Sequence, residues 1–148
     1  MRALIQRVSQ GSVTIEGKVV GKIGTGIVLL LGIKNGDNLE DIKYIANKCV
    51  NLRIFNDESG NLNKSLLEIG GEMLIISQFT LYGDARKGRR PGFSDAAPPE
   101  IAEPLYNDFV SEVRRSNVRV ATGEFGAMMQ ILIKNEGPVT LMIESRQK

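Results

Sequence analysis

Apolar positions along the chain fall into short runs that predict strands more often than helices. Residues 2–8 alternate in a strand-like pattern, and residues 26–33 and 72–81 are apolar runs long enough for one buried strand each. Turn-forming residues separate these runs from further segments of strand-like composition. These segments are residues 12–15, 19–23, 52–55, 118–121, 127–134 and 139–144.

Two segments have helical spacing instead. Residues 38–51 repeat apolar side chains at helical intervals, and Asp37 with Glu40 predicts a capping box at their start. Residues 98–115 show a second such pattern, which opens with prolines that a first helical turn accepts. Together with about eight or nine strands, these segments predict an α+β fold. We expect a single-domain, β-barrel-like sheet structure over residues 1–148, with two main flanking helices.

Polar residues interrupt the apolar run of residues 72–81 near its end. The interruption is Ser77-Gln78-Phe79-Thr80. One interpretation is that alternate side chains of the strand face solvent. The other is that the strand ends at a functional site, because such sites are where local sequence rules are often broken.

A Gly-Pro step lies between the last two predicted strands, in the segment Asn135-Glu136-Gly137-Pro138-Val139-Thr140. Glycine tolerates positive φ, and proline has no N–H and is the residue type that accepts a cis peptide bond. On spacing alone the segment predicts a tight turn. The alternative is a rigid piece of backbone that presents carbonyl oxygens to a ligand.

The composition excludes several classes of site. The chain has no histidine, which removes Ser-His-Asp and Cys-His nucleophiles, and with one cysteine it lacks an ordinary set of zinc ligands. That residue, Cys49, lies on the apolar stripe of the first helix and is interpreted as a core residue. No apolar run approaches the ~20 residues of a membrane span, and the first residues do not resemble a signal peptide. We therefore expect a cytoplasmic protein with no membrane partner.

Cationic side chains cluster in the long loop of residues 82–97. The net charge of +2 is too small to imply a nucleic-acid partner by itself, so such a partner would need a local patch. Arg86, Lys87, Arg89 and Arg90 form one, and they are candidates for contacts with backbone phosphates. The alternative is a solvated loop tip without a ligand.

Taken together, the two polar motifs resemble those of the D-aminoacyl-tRNA deacylases, also known as the D-tyrosyl-tRNA deacylase family. That family carries the motifs S-Q-F-T-L and N-x-G-P-V-T, and residues 77–81 and 135–140 match both without substitution. The similarity extends to residues 1–8 and 83–91, so it covers essentially the whole chain in the family's order.

The resemblance implies an enzyme that hydrolyses the ester between a D-amino acid and the 3′-terminal adenosine of tRNA. It also implies activity on glycyl-tRNA, including glycine mischarged on tRNA(Ala), with no metal and no cofactor. The implied fold is a small β-barrel with flanking helices. The implied assembly is a homodimer in which a cis Gly137-Pro138 motif of one subunit reaches into the active site of the other.

The resemblance also assigns candidate residues, with Ser77, Gln78, Phe79 and Thr80 as the catalytic group. Without histidine, the main-chain N–H groups of Phe79 and Thr80 could hold the oxyanion, while the substrate's 2′-hydroxyl assists a water molecule. An older interpretation makes the Thr80 hydroxyl a nucleophile, and it ranks lower because no base is present to activate it.

Substrate binding is assigned to the second motif and to the first strand. The carbonyls of Gly137 and Pro138 would capture the α-ammonium and exclude an L-side chain, and Asn135 and Thr140 belong to the same motif. Arg7 would brace this loop by hydrogen bonds; the alternative is a surface arginine.

Three other functions compete with this one. A non-catalytic tRNA- or RNA-binding module would use the basic loop and cleave nothing. A metabolite-binding oligomer would use both motifs as turns. A related editing module would remove L-residues mischarged on tRNA.

Overall fold

Two long strands, β1 (Arg2–Ile15) and β8 (Gln130–Glu144), pair along almost their whole length and organise the fold. The structure is a computed structural model, which describes residues 1–145. The remaining strands are β2 (Lys18–Ile23), β3 (Gly26–Gly32), β4 (Phe55–Asn56), β5 (Leu62–Lys64), β6 (Glu72–Ser77) and β7 (Val120–Thr122). The helices are α1 (Leu39–Asn51), α2 (Leu66–Ile69) and α3 (Pro99–Arg114), with a 3₁₀ turn at Phe79–Tyr82.

The main sheet curls towards a barrel. On one edge β1 pairs with β8; on the other it pairs first with β3 and then, beyond Gly11, with β2. β3 continues the sheet through β6 to β7 in parallel pairs. The two ends then approach each other, since a Cβ built on Gly21 of β2 would lie 2.7 Å from the Thr122 carbonyl of β7. This arrangement confirms the predicted α+β, barrel-like fold.

The central strands are apolar throughout because both of their faces are covered. In β3, Ile27 and Leu29 pack in the larger core with α1 and α3, while Val28 faces a second core with Val8 and Val13 inside the barrel. Such two-sided burial is typical of parallel strands and explains the continuous apolar runs. No helix among the described residues is long and apolar enough to cross a membrane.

The start of α1 differs from its prediction. Asn38, rather than Asp37, caps the helix: its side chain accepts from the Glu40 N–H (3.0 Å), and Asp41 accepts from the Asn38 N–H (2.8 Å). Asp37 is engaged elsewhere, accepting from the Lys34 N–H at 2.7 Å and from the Met1 amino group at 2.9 Å. The capping box therefore lies one residue later than predicted.

The tight turn predicted for residues 135–140 is wrong, and the two strands around it are one strand. Asn135 lies opposite Val8 and Thr140 lies opposite Gln6, so residues 136–139 bulge out where β1 supplies Arg7 alone. We name residues 136–139 the Gly-Pro bulge. The chain does not reverse direction because β1 continues to pair with β8 on both sides of it. A bulge of this kind bends the strand and changes the direction in which its residues point.

Candidate active site

The Gly-Pro bulge presents exposed backbone. Its Gly137-Pro138 peptide bond is cis, as the family resemblance implied, and residues 136–138 are exposed. Gly137 has φ of +126°, a conformation that side-chain-bearing residues rarely adopt. A Cβ at this position would also lie 2.9 Å from Nη2 of Arg7. Both the backbone conformation and the space therefore require glycine here.

The buried side chain of Arg7 is hydrogen-bonded to the Gly-Pro bulge. Its Nε donates to the Glu136 carbonyl (3.0 Å), and its Nη1 donates to the Ile54 carbonyl (3.0 Å) and to Asn56 Oδ1 (3.1 Å). The residue is only 8% exposed. The surface-arginine alternative is therefore wrong. Its role towards a substrate stays a prediction.

Asn135 and Thr140 close the two ends of the bulge. The Asn135 side chain donates to Thr140 Oγ1 (2.8 Å) and accepts from the Val139 N–H (3.3 Å). Gln6 on the facing strand also donates to Thr140 Oγ1, at 3.4 Å. Because Asn135 and Thr140 are hydrogen-bonded to each other and to the main chain, their side chains fix the backbone conformation of the motif.

The Ser77-Gln78-Phe79-Thr80 motif marks the end of β6, so the strand is shorter than predicted. The Gln78 N–H makes the last sheet-like bond, to the Leu31 carbonyl (2.8 Å), and the chain then enters the 3₁₀ turn. The N–H groups of Phe79 and Thr80 begin that turn, where no intrahelical acceptor is available to them. The turn thus offers two neighbouring main-chain donors.

Side chains around the turn anchor it without supplying a base. The Gln78 amide donates to Thr80 Oγ1, and an amide cannot take a proton from that hydroxyl. Arg2 on β1 donates to the Leu81 carbonyl (3.0 Å) and lies 4.6 Å from the centre of the Tyr82 ring. The turn is therefore tied to the barrel through its far end, and among residues 1–145 no base is hydrogen-bonded to the Thr80 hydroxyl.

A pocket of about 610 Å³ opens beside the turn. Ser77, Gln78 and Phe79 form one wall, and the other walls come from residues 93–102 and 125–131. Phe79 and Phe93 meet edge to face with ring centres 5.1 Å apart at the pocket. Most of the remaining lining is apolar, so the polar groups are concentrated on the wall formed by the motif.

The sequence pattern did not identify the far walls of this pocket. Phe125, Met128 and Met129 line it from the loop before β8, and Met128 is 90% exposed. A large apolar side chain that is exposed to this extent indicates a binding surface, but its exposure is visible only once the fold is known.

The two motifs do not share a site within one chain. Ser77 pairs with Leu31, which pairs with Ala3, whereas the Gly-Pro bulge lies opposite Arg7. Four residues along β1 and three strand spacings across the sheet separate them by something on the order of 20 Å. Neither Gly137 nor Pro138 lines the pocket.

The basic loop is ordered by one of its own cations. Asp84 and Gly92 exchange main-chain hydrogen bonds of 2.7 and 2.9 Å at its base. Arg86 donates to the Asp84 carboxylate at 2.8 and 2.7 Å. These hydrogen bonds from Arg86 lower the pKa of Asp84 to about 2.

The other three cations of the loop, Lys87, Arg89 and Arg90, are exposed. They make no ion pair within the described part of the chain. The loop leads directly into Phe93, which lines the pocket.

The chain resembles one known protein family over nearly its whole length. The sequence profile described as D-Tyr-tRNA(Tyr) deacylase matches residues 4–144. The chain belongs to this deacylase family. As a member it is a hydrolase, which confirms the prediction that it is an enzyme.

Relatives within the deacylase family match the chain along its length. The D-aminoacyl-tRNA deacylase of Thermosipho africanus (strain TCF52B) is 58% identical over 147 residues, covering 99% of both chains. That of Roseiflexus sp. (strain RS-1) is 59% identical over 145 residues, covering 98% of this chain and 94% of its own.

Solved structures show the same deacylase fold. The "c-Myc DNA Unwinding Element Binding Protein" superposes with a TM-score of 0.94 at 42% identity, covering 99% of this chain and 100% of its own. A probable eukaryotic D-amino acid tRNA deacylase gives a TM-score of 0.84 at 22% identity, covering 97% and 98% of the two chains, and shares the fold.

The remaining candidate groups of this deacylase-family member do not form a second centre. Among residues 1–145 no three His, Cys, Asp or Glu side chains lie close enough together to hold a metal ion. Cys49 is buried on α1, and burial raises the pKa of its thiol to about 12. This confirms the interpretation of Cys49 as a core residue.

Proposed function

We propose that the chain hydrolyses the ester bond of D-aminoacyl-tRNA and releases free D-amino acid and tRNA. The observation that carries this proposal is the pocket with Ser77, Gln78 and Phe79 in its wall, where the 3₁₀ turn begins. The first N–H groups of the turn, those of Phe79 and Thr80, have no acceptor within it. The names of the relatives, which are D-aminoacyl-tRNA deacylases, support the same substrate.

The pocket binds the 3′-terminal adenosine of the tRNA. Its volume of about 610 Å³ lies within the 300–1,000 Å³ range of small-ligand sites and accommodates a nucleoside. Unpaired bases in RNA are commonly bound by stacking on aromatic rings, and Phe79 and Phe93 supply such rings at this site. This arrangement leaves the ester carbonyl next to Ser77 and Gln78.

Hydrolysis then proceeds by attack of water on the ester carbonyl carbon. The carbonyl oxygen becomes an oxyanion that accepts hydrogen bonds from the N–H groups of Phe79 and Thr80. The bond from carbon to the ribose 3′-oxygen breaks, and that oxygen takes up the proton that the attacking water releases. The neighbouring 2′-hydroxyl of the substrate orients the water, which removes the need for a histidine.

The Gly-Pro bulge discriminates between enantiomers. The exposed carbonyls of Gly137 and Pro138 accept hydrogen bonds from the α-ammonium, and the braced backbone then excludes an L-side chain. Glycine has no side chain to exclude, so glycyl-tRNA is also cleaved, including glycine mischarged on tRNA(Ala). Exclusion leaves a D-side chain unrecognised, so many D-amino acids are accepted.

The bulge acts in the pocket of a second subunit. Its separation from the pocket of its own chain supports a homodimer in which each Gly-Pro bulge enters the partner's site. Within residues 1–145 the strand β8 pairs with β1 alone, and Leu132, Leu141 and Met142 on it remain 39–52% exposed. An apolar strand of this kind is suited to an isologous contact.

The basic loop contacts the tRNA phosphates. Lys87, Arg89 and Arg90 supply the charge, whereas Arg86 contributes mainly by ordering the loop through Asp84. Such contacts give affinity without sequence specificity.

The deciding experiment compares matched D- and L-aminoacyl-tRNAs of the same tRNA and amino acid, with glycyl-tRNA as a third substrate. We expect rapid hydrolysis of the D-aminoacyl ester and the glycyl ester and negligible hydrolysis of the L-ester. Equal rates on D and L would overturn the discrimination between enantiomers, and faster hydrolysis of the L-ester would support the L-editing alternative. Binding of tRNA without cleavage would support the RNA-binding module.

A further inference from the structure

The charge of Arg7 has an unusual environment. The residue is 8% exposed, yet no carboxylate lies within ion-pair distance of its guanidinium among residues 1–145. A buried cation without a counter-ion is stable only if dipolar groups compensate it. Here the compensation comes from the Glu136 carbonyl, the Ile54 carbonyl and Asn56 Oδ1.

Asn56 differs from the other two acceptors because it is a side chain. It lies on β4, in the hairpin that β4 forms with β5, and it is exposed. The hairpin is fixed directly after it: Asp57 Oδ1 accepts from the N–H groups of Ser59 (2.9 Å) and Asn61 (3.0 Å). Asn56 is thus presented to Arg7 from a well-defined turn.

The contacts form a continuous path to the Gly-Pro bulge. Asn56 Oδ1 accepts from Arg7 Nη1 (3.1 Å), and Arg7 Nε donates to the Glu136 carbonyl (3.0 Å), next to Gly137. The third nitrogen, Nη2, lies 2.9 Å from the place that a Cβ on Gly137 would occupy. A rotation of the guanidinium would therefore change both the hydrogen bond to the Glu136 carbonyl and the space beside Gly137.

We infer that Asn56 is a positioning residue for the Gly-Pro bulge and, through it, a determinant of enantiomer discrimination. The second half of this inference rests on the proposed function. Asn56 does not line the pocket, and its side chain is hydrogen-bonded to Arg7, so it acts by fixing the orientation of the Arg7 guanidinium.

The test uses three variants. Asn56→Ala removes the acceptor, and because the residue is exposed, it removes little packing. Asn56→Asp keeps an oxygen at the same place and adds the missing counter-charge. Asn63→Ala is the matched control, since Asn63 lies in the same hairpin and donates to Asp57 (3.3 Å) instead of contacting Arg7.

Two measurements are made on each variant. The first is site-resolved amide hydrogen exchange at Val139, whose N–H is held by Asn135 within the bulge. The second is the ratio of kcat/KM for D- over L-aminoacyl-tRNA. We expect Asn56→Ala to speed exchange at Val139 about tenfold and to lower the ratio about tenfold, the effect of losing one hydrogen bond to a charged group. Asn56→Asp should restore both, and Asn63→Ala should change neither.

The inference is overturned if Asn56→Ala leaves both readouts at the wild-type value, even if its melting temperature falls. It is also overturned if Asn56→Asp behaves like Asn56→Ala. If wild-type protein cleaves no aminoacyl-tRNA, the proposed function fails, and exchange at Val139 alone decides whether Asn56 positions the bulge.

Discussion

The Gly-Pro bulge and the 3₁₀ turn after β6 both interrupt a strand, and they present opposite kinds of backbone group. The bulge exposes carbonyls around Gly137, held by side chains from Arg7 and Asn135. The turn begins with the N–H groups of Phe79 and Thr80, which have no acceptor within it. Acceptors suit an α-ammonium and donors suit an oxyanion, so in the function that we propose the two regions, contributed by two subunits, are complementary halves of one site.

The comparison also explains why the motifs contain no obvious catalytic side chain. Polar side chains in both regions bond to one another or to backbone, as in the pair Asn135 and Thr140 and the pair Gln78 and Thr80. Their role is to fix main-chain geometry, which costs no reorganisation when charge develops in the transition state.

The largest effect is expected from removing a donor of the turn. Thr80→Pro deletes one main-chain N–H and should lower kcat by about 10²–10³-fold, as for other oxyanion donors. Thr80→Ala keeps the N–H and should stay within a few-fold of wild type in a single-turnover deacylation assay. Complete loss of activity in Thr80→Ala with tRNA binding retained would instead revive the hydroxyl nucleophile.

The acceptor half is tested by Gly137→Ala. The new Cβ would meet Arg7 Nη2 at 2.9 Å, in a backbone conformation with φ of +126°. We expect D-aminoacyl-tRNA hydrolysis to fall about 10²-fold, because displacements of ~1 Å have that cost. Gly60→Ala is the matched control, since Gly60 has φ of +82° and no atom near its missing Cβ. Equal losses in both variants would remove the steric explanation.

A smaller effect is expected outside both halves, in the basic loop. Replacing Lys87, Arg89 and Arg90 together by Gln should weaken tRNA binding and reduce the slope of log K against log salt by about two units. The turnover of bound substrate should not change. Titration of binding between low and moderate salt measures this, and an unchanged slope would mean that the loop contacts no phosphates.

The smallest effect concerns pH and the order of the same loop. Arg86 lowers the pKa of Asp84 to about 2, so the ion pair contributes above the ordinary carboxyl pKa and is lost as pH falls through about 2. An NMR titration of the Asp84 carboxyl should therefore show its midpoint near pH 2. In Arg86→Gln the midpoint should rise towards the ordinary value, and a midpoint that stays low would assign the shift to another cause.

The buried strands were the part of this fold that could be predicted from the sequence. The apolar runs of β3 and β6 identified two-sided strands because a strand covered on both faces has no reason to alternate. The cap of α1 was displaced by one residue because Asp37 is engaged by Met1 and Lys34. The contact with Met1, which lies 36 residues away along the chain, is not visible in local sequence.

The sequence singles out candidate residues for the site, and their roles stay predictions; the shape of the site could not be predicted from it. Gly-Pro is a strong turn signal, and only the pairing of β1 with both halves of β8 shows that the chain continues past it. Likewise Arg7 is buried by acceptors from Ile54, Asn56 and Glu136, which lie 47 to 129 residues away along the chain.

The pairing of β8 with β1 on both sides of the Gly-Pro bulge has a consequence for how this segment can vary. Side chains alternate between faces, so deleting or inserting one residue in β8 beyond the bulge would turn every following side chain to the opposite face. Ile143, which is partly buried and packs against the larger core, would exchange faces with its neighbour Met142, which is 45% exposed. Outside residues 135–140, the exposed positions of β8 should therefore tolerate substitution better than any change in the length of the strand.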